Sequence, residues 1–210
     1  MKLVFIHGWA FDPTFWSPLA SRLPEHEHEF VNLGYFGGVA NFNPQPNSIL
    51  VGHSLGFVHG IKMSSDWAGL ISVNSFSKFV KDDAGVGCVP AASLRKLQKD
   101  LRQNPDQALS NFYSMIGTKK TPEAAPDFVQ LQNGLEELQT ADIGQQLSNS
   151  RAPRLVLASI NDPLVPVAAS EYLGDVKWHA TGGHILPQSD PAWCAKQMTE
   201  FIKTNFRQAA

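Results

Sequence analysis

A serine held between two glycines at the junction of a strand and a helix narrows what this chain can fold into more than any other feature. Residues 48–60 read SILVGHSLGFVHG: an apolar run, Ile49-Leu50-Val51, then Gly52-His53-Ser54-Leu55-Gly56, then a stretch suited to open a helix. So tight a turn accepts only small residues on either side of the serine, and it lifts the serine oxygen clear of the sheet. Alone the pattern is weak, because three residues of about 7% abundance meet in it by accident in roughly one chain in fifteen of this length. Its setting makes Ser54 a candidate nucleophile, and such a serine requires a histidine base and an acid to orient that base.

With 210 residues, 43% of them hydrophobic, the chain can bury one substantial core, as one domain with an inserted piece. A net charge of -2 without long basic runs excludes nucleic acid as the main partner. The nearest approach to a basic patch, Arg95-Lys96-Lys99-Arg102, reads as a solvated helix face. No signal peptide and no apolar run long enough to span a bilayer is visible, so no membrane partner and a cytoplasmic location are expected. The two cysteines, Cys88 and Cys194, are far apart and lack metal-like spacing, so no metal site is expected. A monomer is expected.

Along the chain, strand-like apolar runs cover residues 3–6, 30–33, 49–51, 70–76, 154–160 and 176–180, mostly without polar alternation, as in a parallel sheet covered on both faces. The first run ends in His7-Gly8-Trp9, where a turn can aim the Trp9 N–H at a reacting carbonyl oxygen; the Leu55 N–H, just past the serine, is the second candidate oxyanion donor. His7 reads as a residue that ties down its own loop. Asp12 caps a helix carrying Phe15, Trp16, Leu19 and Leu23, whereas residues 24–29 read as a polar connection in which His26 and His28 are exposed. From Val39 to Asn47, the residues Asn41, Asn43, Pro44, Pro46 and Asn47 leave a crossover that is shortened or lacks its helix.

Between residues 78 and 150 no strong strand is visible, and helices are predicted over 91–104, 106–116 and 127–138. These divide the chain into a core, residues 1–77 and 151–210, and a helical cap, residues 78–150, set over the serine. Most apolar positions of these helices, Leu94, Leu97, Leu101, Leu109, Phe112, Met115, Phe128, Leu131, Leu135 and Leu138, read as ordinary packing, and a few of them must line the pocket between cap and sheet. Asp162 closes the run at 154–160 and is followed by Pro163 and Pro166, whereas Asp142 and Asp175 lack such a setting. Gly182 and Gly183 allow His184 to reach back over the strand ends, and the order Ser54, Asp162, His184 matches serine, acid, histidine. His53 and His179 are weaker base candidates. A helix over 193–206 closes the chain.

These residues resemble the α/β-hydrolases, a mostly parallel sheet flanked by helices with an inserted helical cap. More narrowly, the chain is similar to the pimeloyl-[acyl-carrier protein] methyl ester carboxylesterases. The similarity is carried by His7-Gly8-Trp9, Gly52-His53-Ser54-Leu55-Gly56, the cap segment LQNGLEELQTADI at 131–143, and the loops of Asp162 and His184. It implies hydrolysis of the methyl ester of pimeloyl-[acyl-carrier protein] in biotin biosynthesis, with no metal or organic cofactor and with acyl-carrier protein as the carrier of the substrate. Ser54, Asp162 and His184 match the triad, Trp9 and Leu55 the oxyanion positions, and Phe112 a cap phenylalanine of the acyl channel; Trp9, Phe112 and Met115 are the expected substrate-binding residues. The family's cap arginines that meet the carrier protein are unmatched: Asn111 and Gln107 stand near two of their places, Lys119 and Lys120 roughly at the others. Rival readings are a general short-chain carboxylesterase or thioesterase and a non-catalytic ligand-binding scaffold. Dehalogenase chemistry is disfavoured, because it needs an aspartate where Ser54 stands.

Overall fold

The computed structural model describes residues 1–38, 45, 47–118 and 122–206. Six strands, β1 (Lys2–Ile6), β2 (Glu27–Val31), β3 (Ser48–His53), β4 (Gly69–Val73), β5 (Arg154–Ser159) and β6 (Val176–His179), form one parallel sheet in the order β2-β1-β3-β4-β5-β6. The helices are α1 (Ser17–Ala20), α2 (Leu55–Met63), α3 (Ala91–Gln103), α4 (Pro105–Met115), α5 (Phe128–Thr140), α6 (Gly144–Asn149), α7 (Val167–Glu171), α8 (Leu186–Ser189) and α9 (Pro191–Asn205). The central strands β3 and β4 are buried along their whole length, which is why their sequences run apolar without alternation.

Side-chain alternation sends neighbours in one strand to opposite faces. Ile6 and Leu50 face α2, where a Cβ added at Gly60 would touch both, while Phe5 turns the other way and packs on Trp16 with ring centroids 5.2 Å apart. On that second face α1, α8 and α9 pack together. Strand order reverses between β1 and β3, and the crevice at their carboxyl ends is where a ligand site forms in an open α/β sheet. Among the described residues no helix is long and apolar enough to cross a membrane.

Three local expectations need correction. The second strand starts at Glu27, inside the stretch read as a polar connection, and ends before Asn32. As an edge strand it keeps one side toward water, so Glu27 stays exposed while Lys2 of β1 pairs with it and with the partly buried Glu29. His28 is accordingly half-buried, edge-on to Phe5 and hydrogen-bonded to Leu23 O, and His26 is also largely covered. The helix expected after Asp12 is broken into a 3-10 turn, Pro13–Trp16, and the short α1. Pro18 has no N–H to give to the preceding turn, so the helix cannot run through.

Between β4 and β5 the chain is helical, α3 to α6, with α3 packed on α4 and α5. In this stretch the described residues make only isolated bridges, Lys78 with Asp142 and Val80 with Val89. The crossover from Val39 to Asn47 is described only at Gln45 and Asn47; Asn41, Asn43, Pro44 and Pro46 lie outside the described residues, as do Lys119 and Lys120.

Candidate active site

Ser54 follows the last residue of β3 and precedes the first residue of α2, with φ 51 and ψ -126, a positive-φ conformation that is uncommon for a residue with a side chain. The residues two positions to either side of it, Gly52 and Gly56, are glycines for steric reasons. A Cβ on Gly52 would lie 2.3 Å from Phe57 Cα, and one on Gly56 would lie 2.2 Å from Ile6 O. The elbow is therefore pressed against the end of β1. Ser54 N donates to Val73 O at 3.1 Å, and Ser75 Oγ donates to Ser54 O at 2.6 Å, which ties the turn to β4 and the residues after it.

Asp162 lies in the turn after β5. Its Oδ1 accepts from Leu164 N at 2.8 Å and Val165 N at 3.0 Å, and its Oδ2 accepts from His184 Nδ1 at 2.8 Å. Both side chains are almost wholly buried, 1% and 2% exposed, so the acid has fixed donors in place of water. With Nδ1–H given to the carboxylate, Nε2 of His184 is the nitrogen left to accept a proton. The loop bearing His184 leaves β6 through Gly183, at φ 62, and returns over the sheet. His53, adjacent to Ser54, donates from Nε2 to His184 O at 2.9 Å, and the two imidazole rings lie 4.8 Å apart. The serine and the acid–histidine pair, over a hundred positions apart in sequence, thus share one end of the sheet.

Leu55 is the first residue of α2, so its N–H has no acceptor within the helix and stands at the positive end of the helix dipole. Trp9 lies in the loop after β1, where Ala10 has φ 61, and its indole Nε1 donates to Leu131 O of α5 at 2.8 Å. The Trp9 ring is buried and meets Phe112 edge-on at 4.8 Å. Phe112 and the half-exposed Met115 line a cavity of about 350 Å³ with Phe79, Leu94, Leu97 and Leu164, and the turn of Asp162 borders it through Pro163. The Trp9 ring lies outside that lining. A larger cleft of about 680 Å³, between Phe36, Leu109, Tyr113 and Pro126, contains none of the residues expected from sequence to do chemistry. Proximity to Asp162 favours the smaller cavity as the candidate substrate space.

The other histidines are accounted for by their partners. His7 accepts from Leu33 N through Nε2 and donates through Nδ1 to Gly8 O, so it ties the β1 loop as expected; burial pushes its pKa down to about 4. Burial, reinforced by the charge of His184, keeps His53 neutral well below the ordinary histidine range. His179 sits beside Asp190 and packs on Trp193. Asp142 pairs with Lys78, Asp175 is exposed, and Cys88 and Cys194 are buried free thiols. Among the described residues no group of histidine, cysteine, aspartate and glutamate could hold a metal ion. Sequence reasoning missed Asn74 and Ser75, the residues just past β4 that bind the histidine loop and the elbow. Their one sequence signal is a pair of polar residues where an apolar strand ends.

No protein-family model matches the chain. Among curated proteins it is similar to pimeloyl-[acyl-carrier protein] methyl ester esterases. That of Legionella pneumophila strain Lens is 27% identical over 191 residues, covering 79% of this chain and 77% of the relative. That of Shewanella woodyi is 25% identical over 234 residues, covering 96% and 91%. Among solved structures, an esterase from Exiguobacterium antarcticum superposes with a TM-score of 0.82 at 16% identity, covering 97% of this chain and 92% of its own. A bromoperoxidase from Bacillus anthracis superposes with a TM-score of 0.79 at 16% identity, covering 96% and 91%. Neighbours that differ this much in name establish the fold and not the reaction. The chain has the α/β-hydrolase fold, and in sequence it resembles the pimeloyl-[acyl-carrier protein] methyl ester esterases.

Proposed function

We propose that this protein, a carboxylic ester hydrolase, uses Ser54 to cleave the methyl ester of pimeloyl-[acyl-carrier protein], releasing methanol and the carrier-bound acid for biotin biosynthesis. The observation that carries the reading is the buried Asp162–His184 pair, 2.8 Å apart, beside a serine in an elbow. Asp162 holds the tautomer in which His184 Nε2 accepts the Ser54 proton as Oγ attacks the ester carbonyl. The N–H groups of Trp9 and Leu55 take the oxyanion, an interaction worth about 3 to 4 kcal/mol per donor removed in other enzymes. His184 then protonates departing methanol, and water, deprotonated by the same imidazole, releases the acid from Ser54.

Residues 78–150 act as a cap over a core of residues 1–77 and 151–210. In this reading the acyl chain lies in the cavity beside Phe112 and Met115, with Trp9 supporting its wall. The names of the curated relatives favour a substrate linked to acyl-carrier protein; a cytoplasmic location and a monomeric state belong to the same proposal. A general short-chain carboxylesterase or thioesterase is the second reading, favoured by Asn111 and Gln107 standing near places where the resembled family has arginines toward the carrier protein. The two are separated by incubating pimeloyl-[acyl-carrier protein] methyl ester with wild type and with Ser54→Ala and resolving ester from acid. Conversion by wild type, lost by at least a thousandfold in Ser54→Ala, is the expected result. An intact carrier-bound ester, with p-nitrophenyl esters still cleaved through Ser54, would leave the mechanism and remove the biotin assignment.

A further inference from the structure

Two side chains outside the proposed triad converge on a single atom of it, the backbone oxygen of His184. Asn74 Nδ2 donates to that oxygen at 2.8 Å and His53 Nε2 at 2.9 Å. The Asn74 amide does more than this one bond. Nδ2 also donates to Gly183 O at 2.6 Å, and Oδ1 accepts from Ser159 N at 3.0 Å. Its backbone N–H donates to Leu157 O at 2.8 Å. One fully buried side chain therefore joins the end of β4 to the end of β5, three residues before Asp162, and joins both to the loop of His184.

The arrangement is specific to an amide. Asn74 has φ 44, in the left-handed region that asparagine tolerates better than most residues. The amide donates two bonds on one side, to carbonyls, and accepts on the other, from an N–H, whereas an ionised carboxylate donates none and a hydroxyl or a protonated carboxyl only one. A carbonyl held by two donors fixes the Cα from which the imidazole projects, and a small misplacement of a catalytic group costs far more in rate than in binding.

We propose that Asn74 is a positioning residue that sets the imidazole of His184 between Ser54 and Asp162, an inference that rests on the triad reading above. His53 supplies the second bond, but its ring also stacks on Phe15 at 4.4 Å, so altering it would open the core as well. Asn74 is the cleaner probe. Asn74→Gly keeps the left-handed backbone and removes only the side chain. Asn74→Asp keeps the shape and the acceptor for Ser159 N, but in either protonation state it donates at most one bond where the amide donates two.

Both variants, each alone and combined with His184→Ala, are assayed on p-nitrophenyl acetate, with thermal midpoints recorded alongside. The expected result is a 10- to 100-fold lower kcat with KM within twofold in the single variants. In the His184→Ala background Asn74→Gly and Asn74→Asp change the residual rate less than twofold, because the residue acts through the imidazole. A kcat within threefold of wild type, or the same fractional loss with His184 already removed, would overturn the inference. A His184→Ala enzyme with wild-type kcat would overturn the triad reading first, and this inference with it.

Discussion

A methyl group at Gly56 would lie 2.2 Å from the carbonyl oxygen of Ile6 and 2.4 Å from that of His7, and neither backbone atom can swing aside. Gly56→Ala must push α2 off β1 and carry the elbow with it. The expected outcome is a loss of roughly 3 kcal/mol or more in urea unfolding, with hydrolysis falling in parallel. The serine it protects adds backbone strain of its own, which for a residue held at positive φ is about 1–3 kcal/mol. Such constraints made part of the site legible in sequence. Ser54 is marked by glycines that sterics require, Asp162 by prolines, and His184 by Gly182 and Gly183, because each turn needs particular backbone chemistry. Asn74 carries no such mark. Its partners, Ser159, Gly183 and His184, lie 85 to 110 positions away, and in sequence it reads as part of the strand expected over 70–76, which in the structure ends at Val73.

At the scale of elements, the helix that starts at the serine is tied to the segment between β4 and β5 by one carboxylate. Glu137 of α5 meets His59 of α2 at 3.2 Å and Lys62 at 3.6 Å. Burial pushes its carboxyl up, but the hydrogen bonds and charges of His59 and Lys62 outweigh burial and hold its pKa below 4.5. A carboxylate of lowered pKa stabilises the fold above its unfolded value, and that contribution disappears as pH falls through the folded value. Glu137→Gln is accordingly expected to lose about 1 to 2 kcal/mol at pH 7 in chemical unfolding. The gap from wild type should close below pH 4.5. Helices α3, α4 and α5 were readable because their apolar residues recur every three to four positions; β2 was expected over 30–33 and its first three residues were not readable. An edge strand needs no continuous apolar run, and its Glu27, His28 and Glu29 look like a loop until Lys2 and Phe5 are set beside them.

For the molecule as a whole, alternating apolar runs and helix-like stretches sufficed to anticipate a parallel sheet, and the reversal of strand order between β1 and β3 put the elbow in the crevice. The volume and position of the cavity depend on packing between distant helices and were not readable. Folding also buries His7 and His53 as neutral groups. The unfolded chain binds protons that folded His7 refuses, so stability is full above pH 6.5 and declines as pH falls toward about 4. That difference is worth roughly 3 kcal/mol for His7, and His53 adds in the same direction. The urea midpoint should therefore fall between pH 6.5 and 4, with a shallower fall in His7→Asn. The central claim is that Ser54 is the nucleophile and His184 its base, and the most direct test is labelling with a serine-directed phosphonate mapped by peptide mass spectrometry. The expected result is one label per chain on Ser54, absent in Ser54→Ala and at least a thousandfold slower in His184→Ala. Labelling at another residue, or at an undiminished rate in His184→Ala, would contradict it.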